Sequence, residues 1–284
     1  MNTRLSRPVI LALVCLPVLA AQPVDDTQLK QVIIFGRHSV RSPVAPNATL
    51  STFSVQPYPA FAAAPVAPPA QPTSVGYLTV NGAKLETILG GYYRLWLTQE
   101  GLLTGHDTAD AGMVYFHANT LERTILTAQS LWTGMLPAAG TPNVYVAPEQ
   151  SDPLFDPIGS GVAQLDQQMA VAAVKGRLGA NPQALATAYA SEYALTRSLL
   201  FGYPAGQSPA PAAPAGIVDV TAIPIDITPG APVTIAGLTE MLSAVDPFLM
   251  EYADGLPMSE VGWGQLTAGG VSQISRLYYL ALDL

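Results

Sequence analysis

One heptapeptide concentrates the chemistry available to this sequence: Arg37-His38-Ser39-Val40-Arg41-Ser42-Pro43. A neutral imidazole can attack phosphorus, provided the anion is held still in front of it. A guanidinium fork matches two phosphate oxygens at once, and here two such forks flank one histidine. Positive charge at that place also stabilises the equatorial oxygens as the transition state forms. A third arginine, Arg123, falls in the first turn of an expected helix, an end that itself favours anions. The residues therefore point to a phosphate pocket built by Arg37, Arg41 and Arg123, with His38 as the nucleophile.

Such a pocket needs rigid elements behind it. Residues 31–36 are a continuous apolar run with β-branched members, which predicts a strand buried on both faces of a parallel sheet. The heptapeptide then sits at the carboxyl end of that strand, where α/β sheets bind their ligands. Leu85, Ile88, Leu89, Tyr92 and Trp96 recur at helical spacing and predict a helix over 83–103 with that face toward the core. Gly90 and Gly91 weaken it, and Asn81 or Thr79 is placed to cap it. Residues 113–116 and 143–146 read as strands around a helix that Thr120 caps and that runs to Trp132, with Gly134 closing it. The alternation predicts an α/β fold over 25–150, a mostly parallel sheet with flanking helices. Residues 151–270 read as an inserted, mainly helical cap subdomain. It holds Ala-rich helices over 162–200 broken near Gly179 and Pro182, a Pro/Ala/Gly loop over 204–216, and a helix over 239–252. A last helix over 269–282, with Ile274, Leu277, Tyr278 and Leu282 on one face, returns to the α/β domain from about residue 271. Residues 56–73, rich in Pro and Ala, read as an extended surface loop.

Composition narrows the setting. Residues 1–20 read as a signal peptide: Arg4 and Arg7, an apolar run over 9–19, and a small-residue cleavage site at Val18-Leu19-Ala20. The run falls well short of the roughly 20 apolar residues of a spanning helix. Cys15, the sole cysteine, lies inside it, so the mature chain is expected to have neither a disulfide nor a zinc-finger-type site. The net charge of −8 becomes −10 once Arg4 and Arg7 are removed, with ten basic residues left against 20 acidic ones. Such a chain is a poor partner for nucleic acid or an anionic membrane. Positive charge for an anionic substrate must then be gathered locally, as the three arginines would do.

The segment from Arg37 to Pro43 resembles the Arg-His-Gly-x-Arg-x-Pro signature of the histidine acid phosphatases, with Ser39 in the place of the usual glycine. Gly76-Tyr77-Leu78-Thr79 with Gly82 is similar to the family's second block. The segment from His117 to Thr124 is similar to the one that carries a third catalytic arginine. Asp152-Pro153-Leu154-Phe155-Asp156-Pro157 and Leu238-Thr239-Glu240 resemble the bacterial phytase and glucose-1-phosphatase branch. The likeness runs over nearly all of residues 31–284. It implies a secreted or periplasmic hydrolase of phosphate monoesters, such as a sugar phosphate or an inositol phosphate. The route implied is a phosphohistidine on His38, with no metal or organic cofactor. Glu240 matches an acidic substrate-side residue of the phytases.

The resemblance also implies a late His-Asp pair whose aspartic acid protonates the leaving alcohol. Gly105-His106-Asp107-Thr108 has that wording but precedes both the strand at 113–116 and the Arg123 segment. It is therefore expected to be a surface loop. His117 has no Asp beside it in the chain and is expected to be a strand-end residue. The family's pair is expected beyond Leu284, so the chain reads as truncated. The alternative to an active phosphatase is a truncated or degenerate relative that binds phosphate without efficient turnover.

Overall fold

The computed structural model describes residues 28–59, 75–148, 151–179, 181–230 and 232–284. The expected signal peptide and most of the expected Pro/Ala loop lie outside the described residues. The described residues from 34 onward form one compact unit, and those up to Ile33 belong to a second.

A single helical turn, α1 (Asn47–Leu50), follows Pro46 and buries Leu50. The long helix α2 (Val80–Gln99) begins at Thr79, whose Oγ1 accepts a hydrogen bond from Gly82 N at 2.9 Å. This is the N-cap expected of threonine. A short turn, α3 (Asp107–Asp110), leads to strand β1 (Phe116–Ala118). Helix α4 (Glu122–Met135) then crosses to strand β2 (Val144–Val146). β1 and β2 pair in parallel, with His117 opposite Tyr145, so this stretch is one βαβ unit. Next come α5 (Gln167–Leu178), α6 (Ala184–Ala188) and α7 (Ala190–Phe201), an antiparallel hairpin of β3 (Asp226–Thr228) and β4 (Thr234–Ala236), then α8 (Leu238–Ala253) and α9 (Ala268–Asp283). The Ala-rich region breaks where Gly179, at φ +82°, ends α5.

The main core lies among α7, α8 and α9. Leu199, Leu200, Met241, Phe248, Ile274 and Leu277 are buried there together with Leu50 and Phe53. Each such side chain contributes roughly 1.5–3 kcal/mol through area removed from water. The apolar periodicity of α8 and α9 thus matches the faces they bury.

Several expectations need correction. Parallel pairing among the described residues is limited to β1 and β2, so a mostly parallel sheet is not seen. Residues 31–36 carry no strand, and Ile33 and Phe35 are 84% and 78% exposed. An apolar run becomes a buried strand only when neighbours accept its ladder bonds, and no described strand pairs with it. The first strand of the βαβ unit starts at Phe116 rather than 113. Helix α4 starts at Glu122, directly after Leu121. The apolar face of α2 is turned outward, with Ile88 70% and Tyr92 60% exposed. Its glycine face wins the packing instead. A Cβ at Gly134 would stand 1.8 Å from Thr87 O, and one at Gly90 would stand 2.2 Å from Leu131 O. α2 and α4 therefore meet backbone to backbone, a contact that larger side chains would prevent.

Glu251, in the last turn of α8, is wholly buried. One oxygen accepts from Gly262 N at 2.7 Å, in a turn where Gly262 and Trp263 both have positive φ (+56° and +57°). The other oxygen has no partner among the described residues. Burial pushes this carboxyl from 4.5 up to about 7; the Gly262 bond opposes the rise and Glu260 adds to it. An acid raised in this way favours the folded state while protonated. Its contribution is whole below pH 4.5 and is lost as pH rises through about 7. The expected result is a melting temperature that declines by several degrees across that window in the native chain. Glu251→Gln should flatten the decline. An equally steep decline in the glutamine variant, read by calorimetry, would contradict this origin.

Candidate active site

Glycine at 82 and threonine at 79 let the heptapeptide lie against the start of α2. Thr79 N donates to Val40 O at 3.0 Å, Ser42 N to Tyr77 O at 2.8 Å and Gly76 N to Pro43 O at 2.8 Å. Arg41 bridges Leu78 in this antiparallel contact. A Cβ at Gly82 would stand 2.4 Å from Val40 O, so the approach needs glycine. From the other side, Ser39 N donates to Thr127 Oγ1 of α4 at 3.1 Å. The first turn of α4 is tied to the same place, because Leu78 N donates to Glu122 Oε2 at 3.1 Å.

Held in this way, His38 is half-buried, and its Nδ1 lies 2.8 Å from Ser39 O. A carbonyl oxygen only accepts, so the neutral ring carries its hydrogen on Nδ1 and keeps the lone pair on Nε2. Burial, with repulsion by Arg37, Arg123 and Arg41, lowers the imidazole pKa from 6.5 to about 4, against the opposing pull of the Ser39 carbonyl. A histidine that stays neutral at pH 5 amid three guanidiniums is available as a nucleophile in mild acid.

The three expected arginines converge on His38 but differ in state. Arg37 is exposed, with its guanidinium over the Tyr278 ring at 5.7 Å from the centroid. Arg41 is buried and paired in bidentate fashion with Asp246 of α8, Nη1 to Oδ2 at 2.7 Å and Nη2 to Oδ1 at 2.9 Å. Burial pulls its pKa down, but the Asp246 pair outweighs this and leaves it raised. Arg123, second residue of α4, donates from Nη1 to Gly76 O at 3.3 Å. Its Nε is buried with no partner among the described residues. Burial, then Arg41 and Arg37, pull its pKa below the ordinary guanidine value, with Glu122 opposing. A buried donor without an acceptor costs about 1–3 kcal/mol, and an anion beside His38 would supply the acceptor. Among the described residues no three His, Cys, Asp or Glu side chains converge; what this site offers a ligand is guanidinium charge.

Asp246 was not singled out by sequence reasoning. Its one signal is that it stands as a lone acid in the apolar run 241–250. Thr127 and Tyr278 carried no signal of a site at all. Glu240 is not brought to the arginines by any described contact. It accepts from Gly237 N at 2.6 Å, closing the capping box at its own helix start. His106 precedes α3, and Asp107 is buried against other elements. Asp107 pairs with Arg94 of α2 and accepts from Ala138 N at 2.6 Å. It is thus an internal tie rather than part of an open surface loop. His117 lies within β1 rather than at a strand end, and it does have an aspartate in space. Its Nε2 is 2.6 Å from Oδ2 of the buried Asp152, and its ring meets Tyr145 and Phe155 edge-on. Phe155 in turn stacks on Phe35 at 5.8 Å, three residues ahead of His38.

No family model matches the chain. It is 30% identical over 262 residues to the phytase AppA of Escherichia coli strain K12, covering 87% of this chain and 55% of that protein. It is 28% identical over 241 residues to the glucose-1-phosphatase of Salmonella typhimurium, covering 84% of this chain and 54% of that protein. Among solved structures, a Hafnia alvei phytase in complex with tartrate matches with a TM-score of 0.70 and 25% identity, over 87% of this chain and 58% of that one. The same phytase in complex with myo-inositol hexakis sulphate matches with a TM-score of 0.70 and 26% identity, over 87% and 58%. The chain spans about half the length of the curated relatives it matches.

Proposed function

We propose that this chain, whose relatives are the glucose-1-phosphatases and bacterial phytases of the histidine acid phosphatase family, hydrolyses phosphate monoesters through a phosphohistidine on His38. The observation that carries the reading is the state of that ring: Nδ1–H given to Ser39 O, Nε2 with no partner among the described residues, and a pKa held near 4 by burial and by three nearby arginines. In the first step the Nε2 lone pair forms a bond to phosphorus while the ester P–O bond breaks, and the leaving alkoxide takes a proton from solvent water. In the second, water attacks the phosphohistidine, inorganic phosphate departs and the imidazole is restored. Arg37 and Arg123 supply N–H donors to the phosphate oxygens. Arg41, fixed by Asp246, supplies charge from beneath. No metal or organic cofactor is called upon. The signal-peptide pattern of residues 1–20 supports a secreted or periplasmic setting. The substrate class is a small phosphate monoester, a sugar phosphate or an inositol phosphate. The phytase solved with an inositol hexakis sulphate supports the latter.

A second reading has its own support. Asp107 is committed to Arg94 and Ala138, and no described contact brings a carboxylic acid to His38. On that reading the chain binds phosphate without efficient turnover. General acid catalysis is typically worth about 10² to 10⁴-fold, and an alkoxide needs it far more than a nitrophenolate does. The test is turnover of p-nitrophenyl phosphate and of glycerol phosphate across pH 3 to 7. A preference of at least about 10²-fold for the nitrophenyl ester marks a site without its acid. Brisk hydrolysis of both marks a complete one. Phosphate binding with no hydrolysis of either supports the second reading.

A further inference from the structure

The periodicity of α9 places Tyr278 beside Ile274 and Leu277. Those two are fully buried in the core, whereas Tyr278 is only half-buried. Its side chain is turned to the heptapeptide instead. Its ring lies under the Arg37 guanidinium, 5.7 Å from centroid to Cζ. Its hydroxyl stands near enough to the Arg41 guanidinium to raise its pKa. One tyrosine thus touches both arginines of the Arg-His-x-x-Arg motif. An aromatic face under a guanidinium restricts that otherwise mobile fork and adds a cation–π attraction. This matters most for Arg37, which is exposed and has no carboxylate partner among its described contacts, whereas Arg41 has Asp246.

The chemistry of the pair then says which way the hydroxyl hydrogen is free to go. A guanidinium carries only donors, so toward Arg41 the phenol oxygen must accept. Its own O–H is left to donate elsewhere, in a place ringed by Arg37, Arg41 and, through Arg41, Arg123. The partner such a donor meets among three guanidiniums is an anion. We infer that Tyr278 is a fourth member of the phosphate site: its ring sets the Arg37 fork, and its hydroxyl, oriented by Arg41, donates to a phosphate oxygen. This inference rests on the phosphate reading of the His38 pocket and adds to it a group from a helix far along the chain.

The two contacts can be separated by substitution. Tyr278→Phe keeps the ring under Arg37 and removes the hydroxyl; Tyr278→Leu removes both. The probe is inorganic phosphate, titrated by calorimetry, with kcat and KM for p-nitrophenyl phosphate measured alongside. The phenylalanine variant should bind phosphate at least about ten-fold more weakly, the scale of a hydrogen bond to a charged group. Its KM should rise more than its kcat falls, and its melting temperature should stay at the native value. The leucine variant should be weaker again. Should leucine prevent folding, the phenylalanine variant still decides the matter. Native-like phosphate affinity in the phenylalanine variant removes the hydroxyl from the site, and native-like affinity in both removes Tyr278 altogether. If the unaltered chain itself binds no phosphate, the phosphomonoesterase reading fails first, and this inference falls with it.

Discussion

His38→Ala should leave no acid-labile phosphoenzyme and should lower turnover of p-nitrophenyl phosphate by about 10⁴-fold or more, the scale seen when a covalent nucleophile is removed. Phosphate affinity should survive, because Arg37 and Arg123 remain. The unaltered protein carries the matching signature in its pH profile. A protonated imidazole has no lone pair, so activity is lost as pH falls through the His38 pKa. That limb should lie near 4, where burial and the three arginines put it, rather than near 6.5. Rapid-quench labelling with radioactive substrate and a kcat/KM profile from pH 3 to 7 read both. Retained phosphoenzyme in the alanine variant would move the nucleophile elsewhere. An acidic limb near 6.5 would mean that the ring is neither buried nor ringed by the arginines as described.

Asp246→Ala should be the most destabilising single change at the site. Arg41 and Asp246 are 4% and 5% exposed, so solvent screens neither partner. Removing one leaves a buried, uncompensated guanidinium, which typically costs about 3–5 kcal/mol. The urea midpoint should drop accordingly, with an unchanged slope. The informative control is the double variant Arg41→Met, Asp246→Leu. It removes both charges at similar volume and should recover most of the lost stability. A single alanine variant that unfolds at the native midpoint would mean that water reaches the pair. The pair also explains why Arg41 is a poor candidate for gripping substrate with its whole fork: two of its N–H groups already face Asp246.

How much of this was legible in advance depended on where each piece of information sits. Arg37, His38 and Arg41 are within one turn of chain, so their meeting was assured locally, and the adjacent prolines and serine fixed the kind of loop. Arg123 could be placed because a residue just after a strand, in a helix's first turn, returns to the same edge. Asp246 lies 205 residues from its partner and Tyr278 lies farther still. Each looks like an ordinary helical residue until the helices are packed. His117 and Asp152 show the same limit. His next to Asp in the sequence occurs at residues 106 and 107, whereas the pair that forms across space is 35 residues apart. Periodicity failed in a different way. It correctly marked the apolar face of α2 but assumed that the apolar face packs. Backbone approach through Gly90 and Gly134 was available on the opposite face and was taken. The run over 31–36 announced a preference for burial without naming a neighbour to provide it.

The glycine seam between α2 and α4 also governs how this chain can drift over generations. On one side of α2 the alphabet has a single letter. At Gly90 and Gly134 even a methyl group would fall within 2.2 Å and 1.8 Å of carbonyl oxygens, and no rotamer exists to relieve the clash. On the other side, Ile88 and Tyr92 face outward and are free to change without moving either helix. The two helices also carry Thr127, Glu122 and Arg123 on one side and the Thr79–Gly82 turn on the other. A lineage that altered the seam would therefore shift both walls of the arginine pocket together. Divergence in what the pocket accepts has to come from residues such as Tyr278, which reach it from a different helix.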